Sequence, residues 1–124
     1  MSFASILESI VQQGRGIVGA ALIESDGIPI EQVHARGRTV DPLRGDLGLA
    51  SVEFSRILAD VAKASDAIGG GAVGELVAQL ARVTLVLARV EDEIVLVVAL
   101  APDGNVGQAR YLIRRSLMTI RQEL

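Results

Sequence analysis

Residues 46–68 read DLGLASVEFSRILADVAKASDAI, and the rest of the chain is arranged around them. At about 100° of turn per residue they predict one long helix with three faces. Leu47, Ala50, Phe54, Ile57, Leu58, Val61 and Ile68 fall on one side, the apolar stripe of a helix that packs on a core. Glu53, Arg56, Asp60 and Lys63 fall roughly opposite. Their order allows local ion pairs at i,i+3 and i,i+4, each contributing about 0.2–0.5 kcal/mol. Between the two runs a third line: Gly48, Ser51, Ser55, Ala59 and Ala62, every member small. Alanine and serine are ordinary on helix flanks. A line of them also lets another backbone come close, so it is a candidate seam where this helix meets its own copy.

On either side of this helix the chain alternates between two periodicities. Phe3, Ile6, Leu7, Ile10 and Val11 follow i, i+3, i+4, i+7, i+8, an amphipathic helix that Ser2 can cap and Gly14 ends. Residues 17–25 are apolar on both alternations and predict a central strand. Asp26-Gly27 is a two-residue hairpin signal, and residues 28–35 return. Pro29 cannot donate to a ladder, which puts that return strand at an edge. Residues 37–45 are polar loop with Asp41-Pro42 as a turn, and Gly69-Gly70-Gly71 stops the long helix. Residues 73–82 alternate cleanly: Glu75, Val77 and Gln79 oppose Leu76, Ala78 and Leu80, a half-exposed edge strand. Residues 83–90 and 93–101 are apolar on both sides, joined at Glu91-Asp92. Asn105 can cap a last helix that runs to about Glu123. Val106, Ala109, Leu112, Ile113, Leu117 and Ile120 point inward on it, and Arg110, Arg114, Arg115 and Arg121 lie outward or along its flanks. The order is αββαβββα, an α+β arrangement in a single domain over residues 1–124.

Composition narrows the function classes. Half of the 124 residues are hydrophobic but only 2% are aromatic, so the core is aliphatic. A chain of this length buries roughly two thirds of its unfolded surface and needs no disulfide or metal to fold. It has no cysteine, which excludes a zinc ribbon and a thiol nucleophile. The net charge is −3 and no basic block occurs, which argues against nucleic acid as a partner. No cationic-then-apolar leader and no apolar run of membrane length is visible, so the expectation is a cytoplasmic protein without membrane insertion.

No motif carries chemistry. His34 is the one histidine, and no cysteine or second histidine can join it in a metal site or a catalytic pair. Residues 69–74, GGGAVG, match the GxGxxG string, but a helix precedes them and a strand follows, the reverse of a dinucleotide fingerprint. They read instead as a helix cap and a free turn. There is no GxxxxGK[ST], and Lys63, the single lysine, is mid-helix. Arg114 and Arg115 near the end of the last helix meet the negative end of its dipole. The expectation is a non-enzymatic protein with no cofactor and no metal.

The order of elements and three stretches resemble the roadblock (dynein light-chain) family, over essentially the whole chain. Residues 18–30, VGAALIESDGIPI, look like that family's first hairpin. Gly74-Glu75-Leu76 looks like the start of its third strand, and Asn105-Val106-Gly107-Gln108-Ala109-Arg110 like the start of its last helix. At residues 80–83, Leu-Ala-Arg-Val, this chain lacks the glycine-containing hairpin the family often has, which leaves the ends of the third and fourth strands open. The resemblance implies a five-stranded, mainly antiparallel sheet of roadblock/profilin-like architecture, with the middle helix on one face and the other two helices on the opposite face. It implies dimers in which middle helices pair and third strands join. It also implies a regulator or scaffold that binds a small Ras-like GTPase, as MglB-like gliding-motility members do when they act as GTPase-activating partners. On that footing the homodimer interface is expected at Gly48, Ser51, Ser55, Ala59 and Ala62 with Glu75, Val77 and Gln79. The GTPase is expected over Glu53, Arg56, Asp60 and Lys63, with Arg44 and Asp46 at the margin. The alternative is a small-molecule sensor of profilin/PAS-like architecture, which needs a cavity between sheet and helices.

Overall fold

A computed structural model describes residues 2–37 and 47–124. Helix α1 spans Phe3–Gln13, followed by strands β1 (Ile17–Glu24) and β2 (Pro29–His34). Helix α2 spans Gly48–Ile68. Strands β3 (Glu75–Gln79), β4 (Thr84–Glu91) and β5 (Ile94–Leu100) come next, and α3 (Val106–Glu123) closes the chain. The five strands form one sheet in the order β2-β1-β5-β4-β3, with every pairing antiparallel.

The caps stand where local chemistry puts them. Ser2 Oγ accepts from Ser5 N, and Asn105 Oδ1 accepts from Gln108 N at 2.9 Å, so both outer helices begin on a side-chain cap. Helix α2 ends at Gly69, left-handed at φ +68°, where Gly70 N donates to Ser65 O at 2.8 Å. This is the glycine cap expected at the start of the 69–74 string.

Three boundaries differ from the sequence reading. The first hairpin has a three-residue loop: Glu24 N donates to Ile28 O, and Gly27 sits at φ +93°. The pairing also shifts between Leu22 and Ile23, and Pro29 is taken up beside that irregularity at the sheet edge. Strand β3 keeps only five of the ten residues expected of it. Residues 80–83 form the tight turn into β4, closed by Leu80 N donating to Val83 O at 2.9 Å. The turn is made without a glycine, from Leu80, Ala81, Arg82 and Val83.

Both sheet faces are covered. On one, α1 and α3 press Leu7, Ile10, Leu112, Ile113 and Ile120 onto Ala20, Leu22, Leu96 and Val98. On the other, Leu47 and Leu58 of the α2 segment join Ile23, Leu85, Leu87 and Val97. Strands β1, β4 and β5 are buried on both sides, as their unbroken apolar runs require. At one sheet edge stands β2, and at the other β3.

Candidate protein-interaction surfaces

Helix α2 turns inward only one edge of its apolar stripe, Leu47 and Leu58 with Ala50 and Phe54 at the margin, and joins to it two serines of the small line. Ser51, Ser55 and Leu58 are its buried residues, with Ser51 1% exposed. Two members of the small line therefore face the chain's own sheet and are not free to meet another helix. The cause is space. Leu85, Leu87, Val95 and Val97 already fill the sheet face beneath, so small side chains let the helix settle close. Ser55 Oγ donates to Ser51 O at 2.6 Å, closing its polar group within the helix. Ala59 and Ala62 line a cleft instead, and Gly48 is half-buried at the first turn.

The apolar stripe lies along a flank and is partly uncovered. Phe54 and Ala50 pack at the margin of the core, while Ile57 is 43% and Ile68 83% exposed. The opposite flank carries Val52, which lies against Gly27 in the β1–β2 loop. The apolar flank is thus turned away from that loop. Helix α2 leaves more apolar surface in water than a packed helix needs.

On the outer face Glu53, Arg56, Asp60 and Lys63 are all exposed, as the sequence indicates. Glu53 and Arg56 form an i,i+3 pair at 3.5 Å. Arg44 and Asp46, expected at the margin of this face, lie outside the described residues.

Strand β3 is an edge, and its alternation is as expected. Leu76 and Ala78 turn toward the α2 side of the sheet, and Val77 is 39% exposed. The end of this strand is fastened by contacts that no local pattern announces. Arg110 Nε donates to Glu75 Oε1, and Arg114 Nε stands 3.5 Å from Glu75 Oε2. The Glu75 side chain is therefore occupied by α3, which leaves the β3 backbone, with Val77 and Gln79, as what the edge offers. The other α3 arginines also have partners: Arg115 Nη2 donates to Gln13 Oε1 and stands over the Tyr111 ring, and Arg121 Nε donates to Val90 O.

His34 is half-buried on β2, in an open groove with Glu8 and Gln12 of α1. Among the described residues no group of three or more His, Cys, Asp or Glu side chains is placed to hold a metal ion. No helix among them is long and apolar enough to cross a membrane.

Comparison with solved structures places this fold. The chain superposes on MglC from Myxococcus xanthus with a TM-score of 0.70 and 31% identity, covering all of both chains. It belongs to the roadblock family. A Roadblock/LC7 domain from Streptomyces avermitilis matches at a TM-score of 0.82 and 17% identity, over 98% of this chain and 97% of that one. The gliding protein MglB from Thermus thermophilus matches at 0.79 and 18%, over 92% and 82%. These two likenesses are of fold. No family profile and no curated protein sequence matches the chain. The five-stranded sheet with one helix against two is the arrangement that the resemblance to this family implies.

Proposed function

We propose that this roadblock chain is a non-enzymatic regulator or scaffold that forms a homodimer and binds a small Ras-like GTPase. Its full-length likeness to MglC, at 31% identity, carries the reading. The dimer seam is placed on the uncovered apolar flank of α2, with Phe54, Ile57, Val61 and Ile68, and on the free edge of β3. An unpaired strand edge needs a cover or a partner, and an isologous contact supplies one to both copies. The outer face of α2, with Glu53, Arg56, Asp60 and Lys63, is then presented from both copies to the GTPase. The chain contributes no catalytic group, and the hydrolytic chemistry belongs to the GTPase and its magnesium.

The test uses a purified Ras-like GTPase from the source organism, loaded in turn with GDP and a non-hydrolysable GTP analogue. Calorimetry is expected to show binding that depends on the nucleotide, and single-turnover hydrolysis separates an activating partner from a scaffold. Reversing Arg56 and Lys63 to glutamate is expected to weaken that binding at least about tenfold, since charge reversal at an interface is costly. The same double reversal at Arg114 and Arg121 loosens the Glu75 and Val90 contacts of α3, so it is compared at equal dimer concentration, where the affinity for the GTPase should be unchanged. If the α3 variant loses the GTPase and the α2 variant keeps it, the docking face is on the other side of the sheet.

A further inference from the structure

A cleft of about 200 Å³ opens between α2 and one end of the sheet. Leu58, Ala59, Ala62, Val73 and Val95 make its apolar lining, and Ser25, Arg89 and Asp92 stand at its rim. It exists because the small line of α2 puts little bulk there, and it is smaller than the range of about 300–1,000 Å³ typical of ligand pockets. One apolar side chain suits it better than a nucleotide does. The surroundings carry a definite charge. Arg89 Nη2 is bonded to Asp92 Oδ1 at 2.6 Å, which matches its charge locally. The β1–β2 and β4–β5 loops at this end add Glu24, Asp26, Glu91 and Glu93, all exposed. An occupant that fits is an apolar side chain set among cations.

The chain carries such a group on its opposite face. Met118 on α3 is 67% exposed. One turn before it stands Arg115 and one turn after it Arg121, both exposed and both bonded only to neutral oxygens, of Gln13 and Val90, so their charge is not matched there; Arg114 beside them is paired with Glu75. Methionine is unbranched and polarisable, so it adapts to an irregular apolar gap. We propose that Met118 of a second copy seats in the α2 cleft, with its flanking arginines against the acidic loops. The two surfaces differ, so the contact is heterologous and propagates from copy to copy without closing. It is separate from the isologous seam through α2 and β3, and either can fail without the other.

Sedimentation velocity on the full chain tests it. At about 100 μM protein in 50 mM salt, species heavier than the unit present in 300 mM salt are expected, because salt screens the arginine–carboxylate attraction. Met118→Ala, at an exposed position where folding is indifferent, should raise the concentration needed for those species at least about tenfold, as truncation of an interface anchor does. Ala62→Leu fills the cleft and should act alike. Glu93→Arg and Arg115→Asp should each abolish the heavy species alone, and an equal mixture of the two should restore them. A single species at every salt and concentration overturns the proposal, as do heavy species that persist in both Met118→Ala and Ala62→Leu.

Discussion

Gly27 and Gly69 have the same local reason to be glycine and different surroundings. Both have positive φ, where a side chain is strained. A Cβ on Gly69 would meet nothing within 4 Å, whereas one on Gly27 would come 2.7 Å from Val52 Cγ2. Gly69→Ala should therefore cost about 1 kcal/mol of stability, the left-handed penalty alone. Gly27→Ala should cost more, and Val52→Ala should recover part of the excess. Urea unfolding of the three variants checks this, and equal losses at the two glycines would contradict the contact with α2. Glu75 gives a second test. Its side chain is 16% exposed and serves two arginines that are themselves partly exposed, so Glu75→Gln should lose about 1.5 kcal/mol, the low end of the range for hydrogen bonds to charged groups. Hydrogen exchange should quicken along β3. Asp92 makes one ion pair and is 94% exposed, so Asp92→Asn should change stability by less than about 0.5 kcal/mol.

At the scale of elements, the order αββαβββα was legible because each element declares itself within a few residues. Period 3.6 marks the helices, two-sided apolar runs mark β1, β4 and β5, and Ser2, Asn105 and Gly69 mark helix ends. Pro29 marked β2 as an edge, and the clean alternation marked β3 as the other. The inward face of α2 was legible only in part: Leu47 and Leu58 pack as their stripe indicates, but Ser51 and Ser55 were not expected beside them. A helical wheel fixes which residues share a face, but which face is buried depends on what the sheet already holds. Here the leucines and valines of β4 and β5 fill the layer, and the space left suits Ser51 and Ser55. The Glu75 contacts to α3 were hidden for another reason: 35 residues separate the partners, and no spacing rule links them. The outer face of α2 was readable because exposure of charge needs no knowledge of the tertiary neighbours. Arg56→Glu with Lys63→Glu should accordingly leave the thermal midpoint within a few degrees of the parent, since exposed pairs contribute roughly 0–1 kcal/mol.

For the whole molecule, the described residues leave two incomplete surfaces: the strand edge at β3 and an apolar flank on α2. Pairing both with a second copy would bury them and leave the two charged α2 faces outward, where the proposed partner would dock. The small line sets the competing arrangement, in which Ala59 and Ala62 meet their own copies. The two arrangements separate in one measurement, sedimentation equilibrium of the parent, Ile57→Arg and Ala59→Arg at about 10 μM in 300 mM salt. Arginine at a buried seam leaves an unpaired charge that costs several kcal/mol, whereas arginine at the cleft mouth reaches water. The parent and Ala59→Arg should sediment as dimers, and Ile57→Arg as a folded monomer. A monomeric parent, or a dimer lost in Ala59→Arg and kept in Ile57→Arg, would contradict the account.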